Sequence, residues 1–283
     1  MYILNNSSLK VHILDPLVDQ ARLGWRFCGG GYVYQVEDAQ YGPLLSGPEF
    51  PATNPAVVNG QGLPEVFQFT LYYDEREIEE KKLIIGVGLV DKRDPAKPYN
   101  LFTNAQVLSF CNWEVVQSGS HLRFETTQSF KQWSFRLIRE VGLHERSLQS
   151  TTTLQNLGDA PVPFRWFAHP FFPLSQDYRC CRVSGLSFLP ENLGFKLDNE
   201  GYIVMNAEHN WQEGCFLKFA HLNGAHLEAW QRHDQLGEIH TRCDFPLSDL
   251  AIWANGKTFS FEPFHQHTVL PQGEKHWEIS YHF

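Results

Sequence analysis

Apolar and polar residues alternate along many short stretches of this chain, and this repeat of two limits the possible folds more than any other feature. The stretch KHWEISYHF at 275–283 puts four large apolar residues on one side: Trp277, Ile279, Tyr281 and Phe283. The stretch HLRFETTQSF at 121–130 alternates in the same way. Because successive side chains of a β-strand point to opposite faces, the pattern predicts strands with one buried face. Similar runs between clusters of Gly, Pro, Asn and Asp predict an antiparallel all-β fold, a large β-sandwich.

Helical periodicity is nearly absent from the sequence. The best candidate for a helix, DEREIEEKK at 74–82, is so short and highly charged that a solvated loop explains it equally well. No internal repeat, low-complexity tract or linker-like change in composition divides the 283 residues. Since β-sandwiches of this length commonly form one domain, we predict a single domain over 1–283. The stretch at 41–64, rich in Pro, Gly and Asn, predicts a long loop of the kind that often carries function.

Charge and composition argue against several classes of function. The formal net charge is −9 and no run of Lys or Arg is longer than Lys81-Lys82, so the surface would repel the phosphates of nucleic acids. The amino terminus lacks a basic segment followed by an apolar run, and no long apolar stretch follows. We therefore expect a soluble cytoplasmic protein that binds neither nucleic acids nor membranes. The six scattered cysteines contain no Cys-x-x-Cys pair, which predicts reduced thiols.

The segment at 147–174 holds the first candidate for an acid or base. It predicts a strand, a turn at 156–159 and a second strand whose one face carries Phe164, Trp166 and Ala168. The other face carries Arg165, Phe167 and His169. A histidine at a strand end among aromatic residues lies where burial and neighbours can tune its pKa. The alternative for His169 is a histidine that is merely hydrogen-bonded beneath an aromatic cluster.

The segment at 246–264 contains Asn255-Gly256 between two β-rich runs, which predicts a hairpin with this dipeptide at the corner of a type I′ turn. Counted outward from that corner, Trp253 opposes Thr258 and Asp249 opposes Glu262. One face is then apolar, with Leu250, Ile252, Phe259 and Phe261. The other face holds Glu262 in line with Ala251, Trp253 and Ser260. A carboxylate near an indole suits a sugar-binding groove, since sugars offer hydroxyls to carboxylates and C–H faces to aromatic rings; an ordinary exposed carboxylate is the alternative.

Taken together, three segments resemble the aldose 1-epimerase (galactose mutarotase-like) superfamily: NLGDAPVPFRWFAHPFF, AIWANGKTFSFEPF and VLPQGEKHWEISYHF. The resemblance covers about residues 147–283, and before them only LLSGPEFP is similar to the family. It implies a supersandwich fold and an isomerase that interconverts the α and β anomers of a small sugar without a cofactor or a metal. It also implies that His169 and Glu262 are the catalytic residues.

One loop departs from the family pattern. The family typically carries an Arg a few positions after Phe-Pro and then a His before Gly, whereas this chain has neither residue type from Phe50 to Phe67. Gln61 is the nearest substitute for the His, and Asn54 or Pro55 stands where the Arg would be. We expect Gln61, Asn54 and Trp253 to bind substrate. The gap disfavours a hexose 6-phosphate, because phosphates usually bind Arg, unless Arg165 or Arg182 compensates.

The mechanism that the resemblance implies needs two groups with opposed roles. Glu262 as a carboxylate takes the proton of the anomeric hydroxyl, and His169 as an imidazolium gives a proton to the ring oxygen. The roles are exchanged when the ring recloses. A bell-shaped pH dependence is expected, in which the acid limb reports the carboxylate, near about 4.3, and the alkaline limb the imidazolium, near about 6.5.

Two other functions stay open. A non-catalytic sugar-binding module can use the same sandwich, because a fold does not imply a function. A cupin-like metal enzyme is suggested by His265-Gln266-His267, which puts two imidazoles on one strand face. Against it, Glu274 follows the second histidine at a longer spacing than the cupin pattern has, beyond a turn with Pro and Gly.

Overall fold

The structure is a computed structural model of the chain, and it describes residues 1–52, 55–56, 58–68, 71, 81–219 and 226–283. Within these ranges the backbone is almost entirely β, as the alternation predicted, with one short helix, α1 (Gln20–Leu23). Most of the candidate helix at 74–82 lies outside the described residues, and its last residue, Lys82, begins a strand. Within the described ranges, no helix is long and apolar enough to cross a bilayer.

The strands of the described residues are numbered in chain order. Those up to His144 are β1 (Tyr2–Asn5), β2 (Leu9–Ile13), β3 (Val33–Asp38), β4 (Gly42–Pro43), β5 (Glu65–Phe67), β6 (Lys82–Ile84), β7 (Gly88–Asp91), β8 (Gln106–Phe110), β9 (Glu114–Ser118), β10 (His121–Phe130) and β11 (Trp133–His144). Those that follow are β12 (Ser147–Asn156), β13 (Val162–Ala168), β14 (Phe172–Pro173), β15 (Arg179–Val183), β16 (Phe195–Leu197), β17 (Tyr202–Met205), β18 (Cys215–Phe219), β19 (Leu227–His233), β20 (Gly237–Asp244), β21 (Asp249–Ala254), β22 (Thr258–Val269) and β23 (Glu274–His282).

Two large antiparallel sheets dominate the described part of the chain. One has 10 strands in the order β16-β17-β15-β19-β20-β23-β12-β11-β10-β9, and the other has 6, in the order β18-β21-β22-β13-β5 with β14 paired to β22. Smaller sheets are formed by β1-β2-β3-β4 and by β6-β7-β8. The predicted all-β, antiparallel sandwich is confirmed.

The main core lies where the two large sheets face each other. Trp277 of β23 stacks on Phe164 of β13 with ring centres 4.9 Å apart, and meets the edge of Trp166 at 5.6 Å. Both predicted apolar faces, on β13 and on β23, are therefore buried against each other. Aromatic pairs of this kind stabilise a fold by about 0.5–1.5 kcal/mol each beyond the area that they bury.

The opposite face of β13 is buried as well, under a separate apolar cluster. Phe167 stacks on Phe264 of β22 at 4.5 Å between ring centres, and both belong to a smaller core formed with residues of the amino-terminal segment and the loops. The six-stranded sheet thus has one face in the main core and one face beneath this second cluster. The second face is the one that carries the candidate site.

The hairpin of β21 and β22 forms where it was predicted, but the predicted register is wrong by two positions. Trp253 pairs with Ser260, and Glu262 pairs with Ala251 in place of Asp249. Since side chains alternate with a period of two, a shift of two positions leaves each of them on its predicted face. The apolar face and the face of Glu262 are therefore both confirmed.

The cause of the shift is the side chain of Asn255. Its amide oxygen accepts hydrogen bonds from the backbone N–H groups of Lys257, at 2.9 Å, and Thr258, at 3.0 Å. This local bonding holds Asn255 before the corner of the turn, so that Gly256 and Lys257 occupy the corner themselves.

Candidate active site

A cavity of about 300 Å³ lies on the second face of the six-stranded sheet. Strands β5, β13, β21 and β22 form its floor, and loops and β18 form its walls. The lining residues are Arg26, Pro48, Asn59, Val66, Gln68, Leu101, Phe102, Phe167, His169, Phe171, Phe216, Trp253, Glu262 and Phe264. Most are apolar or aromatic, with a few polar groups among them, which is the usual composition of a small-molecule site.

His169 enters the cavity directly after the end of β13. Its backbone N–H donates to the carbonyl of Pro64 at 2.8 Å, and its Nδ1 lies 2.9 Å from the hydroxyl oxygen of Ser260. The imidazole stacks on Phe171 at 4.6 Å between ring centres. Only 4% of the residue is exposed, so its orientation is fixed by these contacts and Nε2 is left for other partners.

Glu262 lies on β22, the strand next to β13, and is also 4% exposed. Its Oε1 lies 3.5 Å from Nε2 of His169. The two residues that the sequence singled out therefore share one cavity and contact each other. They meet because β13 and β22 are neighbours in the sheet, which the sequence spacing alone did not reveal.

Burial acts in opposite directions on the two groups. It raises the pKa of Glu262 to about 8, against the smaller effect of the Arg26 guanidinium. It lowers the pKa of His169 well below its usual value, and Arg26 adds to that shift. Because burial disfavours the charged form of each group, it favours the state of the pair in which one proton lies on the carboxyl of Glu262 beside a neutral imidazole. The form with an ionised Glu262 and a protonated His169 contains the same single proton. Transfer of that proton from Glu262 to His169 is therefore enough to produce it.

Arg26 is a cavity residue that the sequence patterns did not single out. It is half-buried, and its Nη1 donates to the carbonyl of Val58 at 3.0 Å. The guanidinium carbon lies 5.1 Å from the ring centre of Phe27 and 5.3 Å from that of Phe102. The signal that could have pointed to it is an isolated charge in the otherwise uncharged stretch 23–36.

The predicted substrate-binding residues fall in different places. Trp253 lines the cavity, and its ring meets that of His169 edge-on at 6.2 Å. Gln61 is buried away from the cavity lining, where its side-chain amide donates to the carbonyl of Tyr34 at 3.4 Å. Asn54 lies outside the described residues.

Two other amide side chains line the cavity, and neither of them was predicted from the sequence. Asn59 comes from the predicted functional loop, together with Pro48. Gln68 follows β5, and its Oε1 is buried without a hydrogen-bond partner among the described residues. Neither lies in a periodic pattern, because both belong to irregular backbone where face assignments do not apply.

The two arginines proposed as compensating residues are engaged elsewhere. Arg165 forms an ion pair with Asp249 at 2.8 Å, and Arg182 forms one with Glu238 at 2.9 Å. Neither lines the cavity.

The cupin-like histidines do not form a metal cluster with Glu274. The Nδ1 of His265 lies 3.0 Å from the carbonyl oxygen of Pro246, and Glu274 accepts a hydrogen bond from Gln155 on the other large sheet. Across the described ranges of the chain, no three His, Cys, Asp or Glu side chains are grouped so that they could hold an ion.

Comparison with known proteins shows similarity at the level of structure. No family model matches the sequence, and no curated protein matches it in sequence. A galactose mutarotase related enzyme from Lactobacillus acidophilus has a TM-score of 0.63 at 12% identity, over 99% of this chain and 96% of that one. A galactose mutarotase-like protein from Lactobacillus casei has a TM-score of 0.61 at 14% identity, over 100% and 99%. An aldose epimerase homologue from C. elegans has a TM-score of 0.55 at 12% identity, over 99% and 97%.

The chain therefore has the galactose mutarotase-like fold, as the resemblance of its second half implied. Similarity at such low identity establishes the fold, whereas a function has to be argued from the site itself.

Proposed function

We propose that this protein is an aldose 1-epimerase, an isomerase that interconverts the α and β anomers of a sugar by opening and reclosing its ring. The observation that carries the proposal is the contact of two buried titratable groups, His169 and Glu262, 3.5 Å apart in a cavity of about 300 Å³. A cavity of this size suits a monosaccharide. Groups whose pKa values burial drives in opposite directions are typical of an acid and base pair.

The chemistry of mutarotation fits such a pair. The anomeric hydroxyl and the ring oxygen are bonded to the same carbon, so an acid and a base that serve both must lie close together. Glu262 as the base takes the proton of the hydroxyl, and His169 as the acid protonates the ring oxygen. After rotation about the C1–C2 bond the roles are exchanged and the ring recloses. No electron or group is transferred, so the two side chains suffice.

The surroundings of the pair support a sugar as the ligand. Trp253 and Phe171 offer ring surfaces to the C–H faces of a pyranose, and Asn59 and Gln68 offer amide groups to its hydroxyls. Ser260 holds Nδ1 of His169, which leaves Nε2 to face Glu262 and the substrate.

Anomer exchange in freshly dissolved α-D-glucose and α-D-galactose, followed by proton NMR, tests the proposal. The unmodified protein should accelerate exchange, whereas Glu262→Gln and His169→Asn should lose most of that acceleration. Glu278→Gln and His276→Asn, on strand β23 away from the cavity, are the matched controls and should behave like the unmodified protein. Sugar binding without any acceleration would instead identify a binding module, and the proposed activity would be wrong.

A further inference from the structure

We propose that Arg26 is a substrate-binding residue of this cavity, where its guanidinium donates hydrogen bonds to oxygen atoms of the bound sugar beside Glu262. The inference rests on the proposed function for the class of ligand. It adds a binding residue from the segment after helix α1, which carries none of the motifs discussed above.

The position of the guanidinium is fixed before any ligand arrives. Its hydrogen bond to the Val58 carbonyl and its contacts with the rings of Phe27 and Phe102 restrain it. A side chain that is already ordered loses little conformational entropy when it binds a ligand. Arg26 is therefore a more effective donor than a freely rotating surface arginine.

The guanidinium has donors to spare. An arginine carries five N–H groups in a planar fork, and the carbonyl of Val58 is the acceptor that the described residues supply. The remaining N–H groups suit the hydroxyl and ring oxygens of a sugar, all of which accept hydrogen bonds. Gln68, in the same cavity, has a buried amide oxygen that finds no partner in the described part of the chain, so the cavity supplies an acceptor for a hydroxyl as well.

The charge of Arg26 also matches the chemistry next to it. The titratable groups near enough to interact electrostatically with it are the carboxyl of Glu262, the imidazole of His169 and the phenol of Tyr32. When the anomeric hydroxyl loses its proton, negative charge develops on that oxygen, and a fixed cation nearby stabilises it. Arg26 therefore supports both ligand binding and the charge that ring opening creates.

The test compares Arg26→Met, which removes the donors and the charge, with Arg26→Lys, which keeps the charge. Arg182→Met is the matched control, because Arg182 also stacks on an aromatic ring, that of Trp230 at 4.5 Å, but lies outside the cavity. Binding of D-glucose, D-galactose, D-xylose and L-arabinose to each full-length protein is measured by calorimetry. Arg26→Met should weaken binding by roughly 10- to 100-fold, as expected for lost hydrogen bonds to a charged group. Arg26→Lys should lose less, and Arg182→Met nothing.

A second measurement needs no sugar. The charge of Arg26 opposes protonation of His169, so the NMR titration of the His169 ring should move to higher pH in Arg26→Met. It should stay near that of the unmodified protein in Arg26→Lys and in Arg182→Met. A residue that merely anchors the loop at Val58 would change the melting temperature and leave this titration in place.

The outcomes separate this inference from the proposed activity. If the unmodified protein binds a sugar but does not accelerate anomer exchange, the proposed activity fails and the role of Arg26 in binding is still decided by the variants. If Arg26→Met binds sugar as tightly as the unmodified protein, or if the unmodified protein binds none of the four sugars, the assignment of Arg26 is overturned.

Discussion

Two buried glutamates in this molecule have opposite surroundings. Glu65 accepts hydrogen bonds from Arg139, Ser150 and Trp166, so that its charge is fully paired. Glu262 is equally buried, but its polar contact among the described residues is the imidazole of His169. A buried carboxyl group with so few partners lowers stability, and such groups are concentrated at functional sites. This contrast supports a chemical role for Glu262 and a structural one for Glu65.

The pair should act as one unit. Glu262→Gln keeps the shape of the side chain but removes the base, so we expect the rate of anomer exchange to fall roughly 10²- to 10⁴-fold. His169→Asn should cost a similar factor, and the double variant little more than either alone, because either loss disables both groups. Exchange rates from NMR, with circular dichroism as the control for folding, check this. Full activity in Glu262→Gln would make that carboxylate structural.

The pH dependence should follow the single proton of the pair. Loss of that proton from Glu262, whose pKa burial raises to about 8, should give the alkaline limb near pH 8. A second proton on His169, whose pKa burial lowers, should give an acid limb well below 6.5. Glu262 thus accounts for the alkaline limb and His169 for the acid limb, which reverses the assignment expected from unperturbed pKa values. In Glu262→Gln the residual activity should lack the alkaline limb, and a limb that persists near pH 8 would belong to another group.

The sequence could predict the parts of the candidate site that lie on strands. The period of two placed His169 on one face of its strand and Glu262 with Trp253 on one face of the hairpin, and the family resemblance singled out His169 and Glu262. The structure brings all three to one cavity. Arg26 and Asn59 were missed because they reach the cavity from irregular segments, whose path depends on contacts with distant residues. Gln61 was selected by analogy of position, and position in a loop does not fix the direction of a side chain.

Among the strands, a buried ion pair connects β5 of the six-stranded sheet to the ten-stranded sheet. Arg139 of β11 pairs with Glu65 of β5, and both bond to Ser150 of β12. Glu65 in turn stands opposite Ala168, the residue before His169. The network therefore links the ten-stranded sheet to β5, the strand that pairs with the segment leading to His169.

Breaking this pair should be costly. Arg139→Met leaves the carboxylate of Glu65 buried and unpaired, so the free energy of unfolding should fall by about 3–5 kcal/mol. Adding Glu65→Gln should restore part of the loss, because it removes the unpaired charge. Denaturant unfolding of the single and double variants measures the coupling. Arg182→Met, which breaks an ion pair at the surface, should have a much smaller effect; equal effects in both places would contradict a structural role for the buried pair.

The hairpin between β21 and β22 shows how far a local signal determines register. Asn255-Gly256 correctly predicted the position of the hairpin, but the bonds of the Asn255 side chain moved the corner by one residue along the chain. Asn255→Ala removes two hydrogen bonds, so it should lower the free energy of unfolding by about 1–2 kcal/mol. Asn255→Asp retains an acceptor and should lie close to the unmodified protein. Urea unfolding measures both, and an unchanged stability in Asn255→Ala would mean that the backbone alone sets the turn.

Across the fold, individual strands could be predicted from the sequence, but the pairing of one strand with another could not. Alternation identified β10 and β23 almost to the residue, since it follows from the pleat of a single strand. Pairings such as β12 with β23 and β13 with β5 join segments that are far apart in sequence. They are decided by packing of the complete core, which no local pattern encodes, so the resemblance to a known family carried that part of the prediction.

The chain should unfold as a single domain. The main core contains buried residues from Leu4 to Phe283, and the two large sheets share it through Phe164 and Trp277. Because both large sheets bury a face in this one shared core, unfolding in guanidinium chloride should be a single transition, with tryptophan fluorescence and far-UV circular dichroism coinciding. A bound sugar at about 100 times its Kd should shift that whole transition by about 2.7 kcal/mol. Arg26→Met, measured at the same sugar concentration, is the control and should shift less. Two separate transitions, or a sugar that moves one probe and not the other, would show that the chain folds as more than one domain.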